Sequence, residues 1–327
     1  MRFTFTDEQR AFQRAVRDFL AKECPPEHVR AMSTDPTGRS TDLWKGLAEL
    51  GVVGLTVPEE FGGLGGDERD LVLMLEEAGR AALPEPLLET TAVGVPLLLE
   101  MAGVDFQRKW LPRVASGDAI VTVGGIEGAP LADAHVADLV LMPRGDGIIA
   151  ATRGMLELAL YPSVDATRRL FTFEPAAESQ RLEAAFDRGA LGTAALLCGI
   201  ADRVIEFAAS YAKERHQFGK PIGSFQAVKH LLADALLGLE FARPVVYRAA
   251  WSIATGSDDR SRDASAAKAA ASEAALNACR AALQVHGAIG YTHEHDLHLW
   301  LNKGTALAHT WGTAAFHRER VARILLG

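Results

Sequence analysis

The residues best suited to chemistry lie in two short stretches of the carboxyl-terminal half. The first, residues 211–226, reads YAKERHQFGKPIGSFQ, and the second, residues 284–291, reads QVHGAIGY. Both stretches lie beside long helix-like patterns, so we predict two loops set between rigid helices, where binding residues often occur. An arginine beside a turn suits a phosphate group, and glutamine can donate to and accept from a heteroaromatic ring. Together the two stretches indicate a cofactor of the nucleotide type.

The composition limits the kind of protein that positions these loops. A chain of 327 residues with 48% hydrophobic content and a mean hydropathy of +0.05 is long enough to bury a core and hold a pocket. The net charge of -8, without a basic block, argues against nucleic acid and anionic membranes as partners. No signal-peptide core opens the chain, and no apolar run has the length of a membrane span, so we expect neither export nor membrane insertion.

Cysteine usage points to a reducing compartment. The three cysteines are scattered, without CxxC spacing or nearby histidine partners: Cys24, Cys198 and Cys279. This pattern argues against a metal site and against a disulfide framework. We therefore predict no bound metal and a cytoplasmic location.

The first third of the chain, residues 1–117, has helical periodicity. Thr6 and Gln9 form a capping-box pattern ahead of an amphipathic run, which the pair Pro25-Pro26 is predicted to stop. Further helices are predicted over about 41–50, 67–82, 86–101 and 105–116. The glycine-rich segment 62–66 is interpreted as turn chemistry, since neither a preceding strand nor a P-loop lysine accompanies it.

The predicted secondary structure changes twice in the remaining chain. Residues 118–185 contain short β-favouring runs near 120–123, 138–141, 147–150 and 170–173, which predict a small β domain. In residues 186–327 helical periodicity returns over about 190–216, 224–255, 260–287 and 303–325, which predicts an antiparallel four-helix bundle. The predicted fold is therefore mainly α, with a helical amino-terminal domain, a reduced β domain and a carboxyl-terminal bundle.

This order of domains and four sequence motifs together resemble the acyl-CoA dehydrogenase family over essentially the whole chain. The motifs are VPEEFGG from Val57, RHQFGKPI from Arg215, the single Gln226, and QVHGAIGYTHE from Gln284. The resemblance implies an enzyme that oxidises acyl-CoA thioesters to 2,3-enoyl products. In that family a carboxylate base removes the α proton, and the β hydride passes to FAD.

The resemblance also assigns roles to individual residues. Arg215 matches an arginine that contacts the flavin diphosphate of a neighbouring subunit, Phe218 an aromatic beside the adenine half, and Gln226 a contact on the adenosine side; Gln217 belongs to the same cofactor-binding set. Gln284, Gly287 and Ala288 match a loop against the same diphosphate, with Ala288 replacing a usual glycine. Without the resemblance, Arg215 could instead pair with Glu214 or Glu206, and Tyr291 is assigned to the core.

The half of the site that carries the family's chemistry departs from the pattern. The two positions where family members keep the base correspond here to Trp311 and Gly189, and neither residue can accept a proton. Ala190 stands where the family keeps an arginine. The stretch 124–133, GGIEGAPLAD, lacks a recognisable flavin-ring motif, and the β domain is short. By this resemblance, the chain keeps the residues that contact the flavin of a neighbouring subunit and lacks the residues that would hold a flavin and a base in its own site.

Three hypotheses follow from this contrast. In the first, the chain is the non-catalytic subunit of an α2β2 acyl-CoA dehydrogenase, assembled through the bundle, with a catalytic partner that carries the base. In the second, it is a homo-oligomeric dehydrogenase with a relocated base, for which Glu294, His309 and Asp187 are the candidates. In the third, it is a helical scaffold that binds acyl-CoA or a partner protein without flavin. For the first two, analogy predicts an electron-transfer flavoprotein as the electron acceptor.

Overall fold

The amino-terminal third is helical, as predicted. A computed structural model describes residues 4–124, 130–144, 147–174 and 182–327. The capping box between Thr6 and Gln9 is present and opens the first helix. The Pro25-Pro26 pair ends that helix but also begins an unpredicted one, because proline suits the first helical position. The helices are α1 (Asp7–Glu23), α2 (Pro26–Thr34), α3 (Thr41–Glu49), α4 (Glu68–Arg80), α5 (Val95–Met101) and α6 (Val104–Ala115).

The predicted helix over 86–101 is not a regular α-helix. Its first part, Leu88–Gly94, is a π-helix whose residues are all buried, and α5 continues from it. π-helical turns are rare and often occur at functional sites. This irregular turn places Glu89 inside the molecule.

The middle of the described chain forms two small sheets. One has the order β1-β3-β4, with β1 parallel to β3, and the other has the order β2-β6-β5. A small core of its own, which includes Leu131, Val140 and Phe171, lies between them. The four predicted strands are found, whereas β2 and β5 are additional: β1 (Val121–Val123), β2 (Leu131–Ala132), β3 (Leu139–Arg144), β4 (Gly147–Ala151), β5 (Glu157–Tyr161) and β6 (Leu170–Glu174).

The carboxyl-terminal part is the predicted helical bundle with one correction. The last predicted helix, 303–325, is two helices separated by a break at residues 310–313. None of the described helices is long and apolar enough to cross a membrane. The elements are α7 (Glu183–Glu214), the hairpin strands β7 (His216–Gln217) and β8 (Lys220–Pro221), α8 (Gln226–Ala254), α9 (Arg260–His286), α10 (Leu297–His309) and α11 (Ala314–Leu326).

Helices α4 and α7 join the first third to the bundle at unusually close range. A Cβ atom added at Gly79 would lie 2.0 Å from the carbonyl oxygen of Leu196, and one added at Gly199 would lie 1.8 Å from that of Glu76. Both positions therefore require glycine. The mainly α fold with a small β region is confirmed, whereas the exact domain boundaries 1–117, 118–185 and 186–327 stay a prediction.

Candidate functional site

The first motif forms a tight hairpin between α7 and α8. Its two turn residues, Phe218 and Gly219, both have positive φ angles, +53° and +80°, as a type I′ turn between paired strands requires. A positive φ is unfavourable for phenylalanine, and the Phe218 ring is 91% exposed. A strained backbone that holds an aromatic ring in solvent is expected where the ring meets a ligand or a partner.

Arg215 caps the carboxyl end of α7 and is exposed. Within the part of the chain that the structure describes, its guanidinium makes no ion pair. The alternative partner Glu206 is bound instead by Arg80 and Arg203, each with a nitrogen to oxygen distance of 2.6 Å. The exposed Gln217 and Gln226 lie on the same hairpin and at the start of α8. Donors that suit an anion are therefore available here.

The second motif forms the end of α9 and the short 3-10 turn that follows it. Gly287 has φ of +62° and ψ of -138°, a combination that side chains strongly disfavour. Gln284 and Ala288 are exposed on either side of it. Tyr291, which we assigned to the core, is 76% exposed, so that assignment was wrong.

The structure brings the two motifs together. Tyr211, in the last turn of α7, stacks on His286, the last residue of α9, with ring centroids 4.5 Å apart and an interplanar angle of 22°. The Nδ1 of His286 donates to the carbonyl of Ala282 at 2.8 Å, which fixes the ring. Burial lowers the pKa of His286, so the stacked ring is neutral near pH 7.

The residues in this region fit the adenosine diphosphate half of FAD. An unpaired guanidinium, exposed glutamine amides and a glycine that leaves the backbone accessible are the groups that a diphosphate needs. The exposed Phe218 ring suits an adenine face. The flavin-ring motif, whose absence we inferred at 124–133, falls largely on residues 125–129, which lie outside the described residues.

Gly189 and Trp311, the two residues that the resemblance predicts at the base positions, contact each other directly. A Cβ atom added at Gly189 would lie 2.3 Å from Cδ2 of the Trp311 indole, so this glycine leaves the space that the indole fills. Trp311 has a positive φ of +54° in the loop between α10 and α11. At the position where the resemblance predicts a carboxylate in other members, the described structure has an aromatic side chain packed on a helix backbone.

A buried lysine holds this loop in place. Lys268, on α9, donates from Nζ to Ser272 Oγ at 3.0 Å, to the Ala308 carbonyl at 3.1 Å and to the Gly312 carbonyl at 3.0 Å. Burial lowers its pKa to about 7. Since these contacts tie α9 to the last turn of α10 and to the break itself, Trp311 has little freedom to leave Gly189.

The three candidates for a relocated base lie in different surroundings. Asp187 is buried, pairs with Arg320 at 2.6 Å and accepts a 2.6 Å hydrogen bond from Ser261, so its carboxylate is already engaged. Glu294 is exposed beyond the end of α9. His309 is exposed on α10, where its Nδ1 contacts the Thr305 carbonyl at 2.9 Å.

The sequence analysis missed a carboxylate, Glu89, at a cavity beside Trp311. The cavity has a volume of about 580 Å³ and lies between the β sheets and the break after α10. Glu89 is 5% exposed, and its Oε1 lies 3.5 Å from Nη2 of Arg168. Burial raises the pKa of Glu89, and Arg168 opposes that shift. A charged residue inside the apolar run 87–99 was the sequence signal that could have identified it.

Comparisons with known proteins agree with this architecture. Residues 6–118 match the model of the acyl-CoA dehydrogenase N-terminal domain, and residues 180–326 match that of the acyl-CoA dehydrogenase C-terminal domain. The acyl-CoA dehydrogenase IpdE2 of Mycolicibacterium smegmatis is 35% identical over 325 residues, 98% of each chain.

Two solved structures resemble the fold closely. The structure described as a Tcur3481-Tcur3483 steroid ACAD variant has a TM-score of 0.90 and 26% identity over 98% of each chain. The ChsE4-ChsE5 complex from Mycobacterium tuberculosis has a TM-score of 0.91 and 24% identity, over 100% of this chain and 99% of the other.

Proposed function

This chain belongs to the acyl-CoA dehydrogenase family, and we propose on that premise that it is a non-catalytic subunit. In this proposal it completes the flavin site of a separate, catalytic chain in an α2β2 assembly formed through the bundle. The cofactor is FAD, which in this family accepts the β hydride when an acyl-CoA thioester is oxidised. The base is supplied by the partner.

One observation carries the proposal: Trp311 and Gly189, the two positions for a base, pack against each other. A general base must reach the substrate's α proton within hydrogen-bond distance, and neither residue can accept one. The alternative candidate Asp187 is engaged by Arg320. The residues of the adenosine side, in contrast, are exposed and gathered at one end of the bundle.

In the assembly, this chain's own residues would bind and orient one half of the cofactor. Arg215 would hold the diphosphate, Phe218 would cover the adenine, and Gln217 and Gln226 would contact the adenosine side. Gln284, Gly287 and Ala288 would lie along the same diphosphate. The comparison with the Tcur3481-Tcur3483 steroid ACAD supports this division, since that protein is named for two components.

Visible absorption tests the proposal most directly. The chain purified alone should carry little or no flavin, whereas co-expression with a partner encoded beside its gene should give a yellow complex that oxidises acyl-CoA. Stoichiometric FAD and acyl-CoA oxidation by the isolated chain would contradict it and favour the homo-oligomeric enzyme with a relocated base.

A charge reversal at Arg215 tests which groups hold the cofactor. In the complex, Arg215→Glu should weaken FAD binding about 10- to 150-fold, because charge-assisted hydrogen bonds to the diphosphate are lost. Arg14→Glu, which reverses the charge of an exposed arginine on α1, is the matched control and should leave FAD affinity unchanged. If Arg215→Glu binds FAD as tightly as the control, the chain is better described as a scaffold.

The location and the electron acceptor belong to the same proposal. The three cysteines are free and buried, which supports a reducing compartment such as the cytoplasm. An electron-transfer flavoprotein as the acceptor rests on family analogy alone.

A further inference from the structure

The cavity beside Trp311 has the size and lining of a small-molecule site. Its volume of about 580 Å³ lies within the range of roughly 300–1,000 Å³ that such sites occupy. Three aromatic side chains line it: Phe186, Trp311 and Phe316. Apolar walls of this kind take up rings and exclude charged groups, because a charge placed there loses its hydration.

The cavity has a distinct mouth and floor. Val164 and His309 line it and are exposed, so they mark the open end. Glu89 and Arg168 are largely buried and also line a second, smaller cavity, so they form the inner wall. A ligand that enters from the exposed end therefore has Glu89 and Arg168 at its buried end.

The polar groups of the inner wall, Glu89 and Arg168, have few side-chain hydrogen-bond partners. Within the described chain, the only side-chain partner of the Glu89 carboxylate is Arg168, at the long distance of 3.5 Å, and Arg168 has no other. Buried polar groups are normally well hydrogen-bonded. The carboxylate can accept and the guanidinium can donate further hydrogen bonds into the cavity.

A hydroxyl group matches this pair, because it donates one hydrogen bond and accepts another. A ketone could only accept from Arg168, and a second carboxylate would be repelled by Glu89.

We propose that this cavity binds a neutral, ring-containing alcohol, with its hydroxyl between Glu89 and Arg168 and its ring against Trp311. This binding site goes beyond the proposed role in flavin binding. The ligand is held beside Trp311, where the chain has no base, so it is bound but not converted. Binding requires neither FAD nor the partner subunit, so the two proposals can fail separately.

Three probes with one carbon skeleton test the proposal on the full chain. Borneol has a hydroxyl, camphor has a ketone at the same position, and bornane has neither. Titration calorimetry for borneol and camphor, with bornane measured by competition, should give the order borneol, camphor, bornane, with borneol about 10-fold or more tighter than bornane. Equal affinities for the three, or no binding of borneol up to its solubility limit, would overturn the proposal.

A double variant tests the inner wall without leaving an unpaired buried charge. Glu89→Leu combined with Arg168→Leu replaces both partners by apolar groups, which a fold tolerates better than removal of one. It should keep bornane binding and lose the preference for borneol. A double variant that still prefers borneol by 10-fold would refute the assignment to Glu89 and Arg168. Arg14→Gln, an exposed change on α1 outside the cavity, is the control and should keep that preference.

A second variant keeps the proposal testable if the double variant does not fold. Thr305 lines the cavity and is exposed on α10, so Thr305→Phe should narrow the entrance without disturbing the core. It should weaken borneol and bornane binding about 5-fold or more, through lost access and contact area. Unchanged binding of both would place the ligand outside this cavity and overturn the proposal.

Discussion

Gly189 and Trp311 depend on each other, because the glycine leaves the space into which the indole packs. An added Cβ at Gly189 would lie 2.3 Å from the indole, and the loop of Trp311 is tied down by Lys268. We therefore expect Gly189→Ala to lower the free energy of unfolding by about 1–3 kcal/mol through overpacking, in spite of alanine's better helix propensity. Urea denaturation of the isolated chain measures this.

A second helical glycine provides the control. A Cβ atom added at Gly238, on α8, meets nothing within 4 Å. Gly238→Ala should therefore raise the free energy of unfolding by about 0.5–1 kcal/mol, since only the helix propensity changes. If Gly189→Ala proved as benign as Gly238→Ala, the indole would not be held against the helix.

At the residue scale, the resemblance predicted Trp311 and Gly189 at the two base positions but not that the two residues contact each other. Counting along the motifs identified Trp311 and Gly189 as the two positions. Their contact joins residues more than a hundred positions apart, which no local pattern records. Glu89 was missed because its place in a cavity also depends on tertiary packing. A single charge in an apolar run does not indicate where its side chain will lie.

At the scale of elements, the ends of α7 and α9 are joined by the stack of Tyr211 on His286. Since one helix leads into the Arg215 hairpin and the other into the Gly287 turn, the stack sets the distance between the two predicted cofactor loops. His286→Ala should therefore weaken FAD retention by the complex about 5- to 10-fold. His286→Phe, which preserves an aromatic partner worth about 0.5–1.5 kcal/mol, should restore most of it.

The absorbance of flavin released on dilution measures both variants. Equal flavin loss in His286→Ala and His286→Phe would show that the imidazole acts through its hydrogen bond to Ala282 rather than through the stack. Unchanged flavin retention in both variants would show that the stack does not contribute to cofactor binding.

Long helices were predicted well because apolar periodicity over many residues is a strong signal. The break after α10 was missed because the apolar patterns on its two sides were joined into one helix, although Gly312, with a φ of +93°, was a local signal of the break. Strands β2 and β5 were missed for other reasons. β2 has only two residues, and β5 is largely exposed, so neither shows the alternation that predicts a strand.

At the scale of the whole molecule, the helical third, the β region and the bundle meet at a buried group of charges. Arg39 pairs with Asp133, and Lys303 pairs with Asp165 at 3.0 Å and donates to Thr167 Oγ1 at 2.9 Å. These residues are scattered along the sequence. The junction could not be predicted, because each charge taken alone is typical of an exposed surface.

Glu85 makes this junction sensitive to pH. Its Oε1 accepts from the Ser40 backbone at 2.8 Å, its Oε2 is buried without a partner in the described structure, and burial raises its pKa from 4.5 to about 7. Because the folded state binds the Glu85 proton more tightly than the unfolded state, the protonated carboxyl contributes its full stabilisation below pH 4.5. That contribution is lost as the pH rises through about 7.

Replacing Glu85 by glutamine should remove this loss. Glu85→Gln keeps an acceptor for Ser40 and cannot ionise. Relative to the wild type, its free energy of unfolding should therefore rise between pH 5 and pH 8 by up to roughly 3 kcal/mol. Urea denaturation at several pH values measures the difference, and Glu8→Gln, an exposed change on α1, should show none. A difference for Glu85→Gln that stays constant from pH 5 to pH 8 would mean that Glu85 is already ionised in the fold, with Arg39 and Lys303 outweighing the effect of burial.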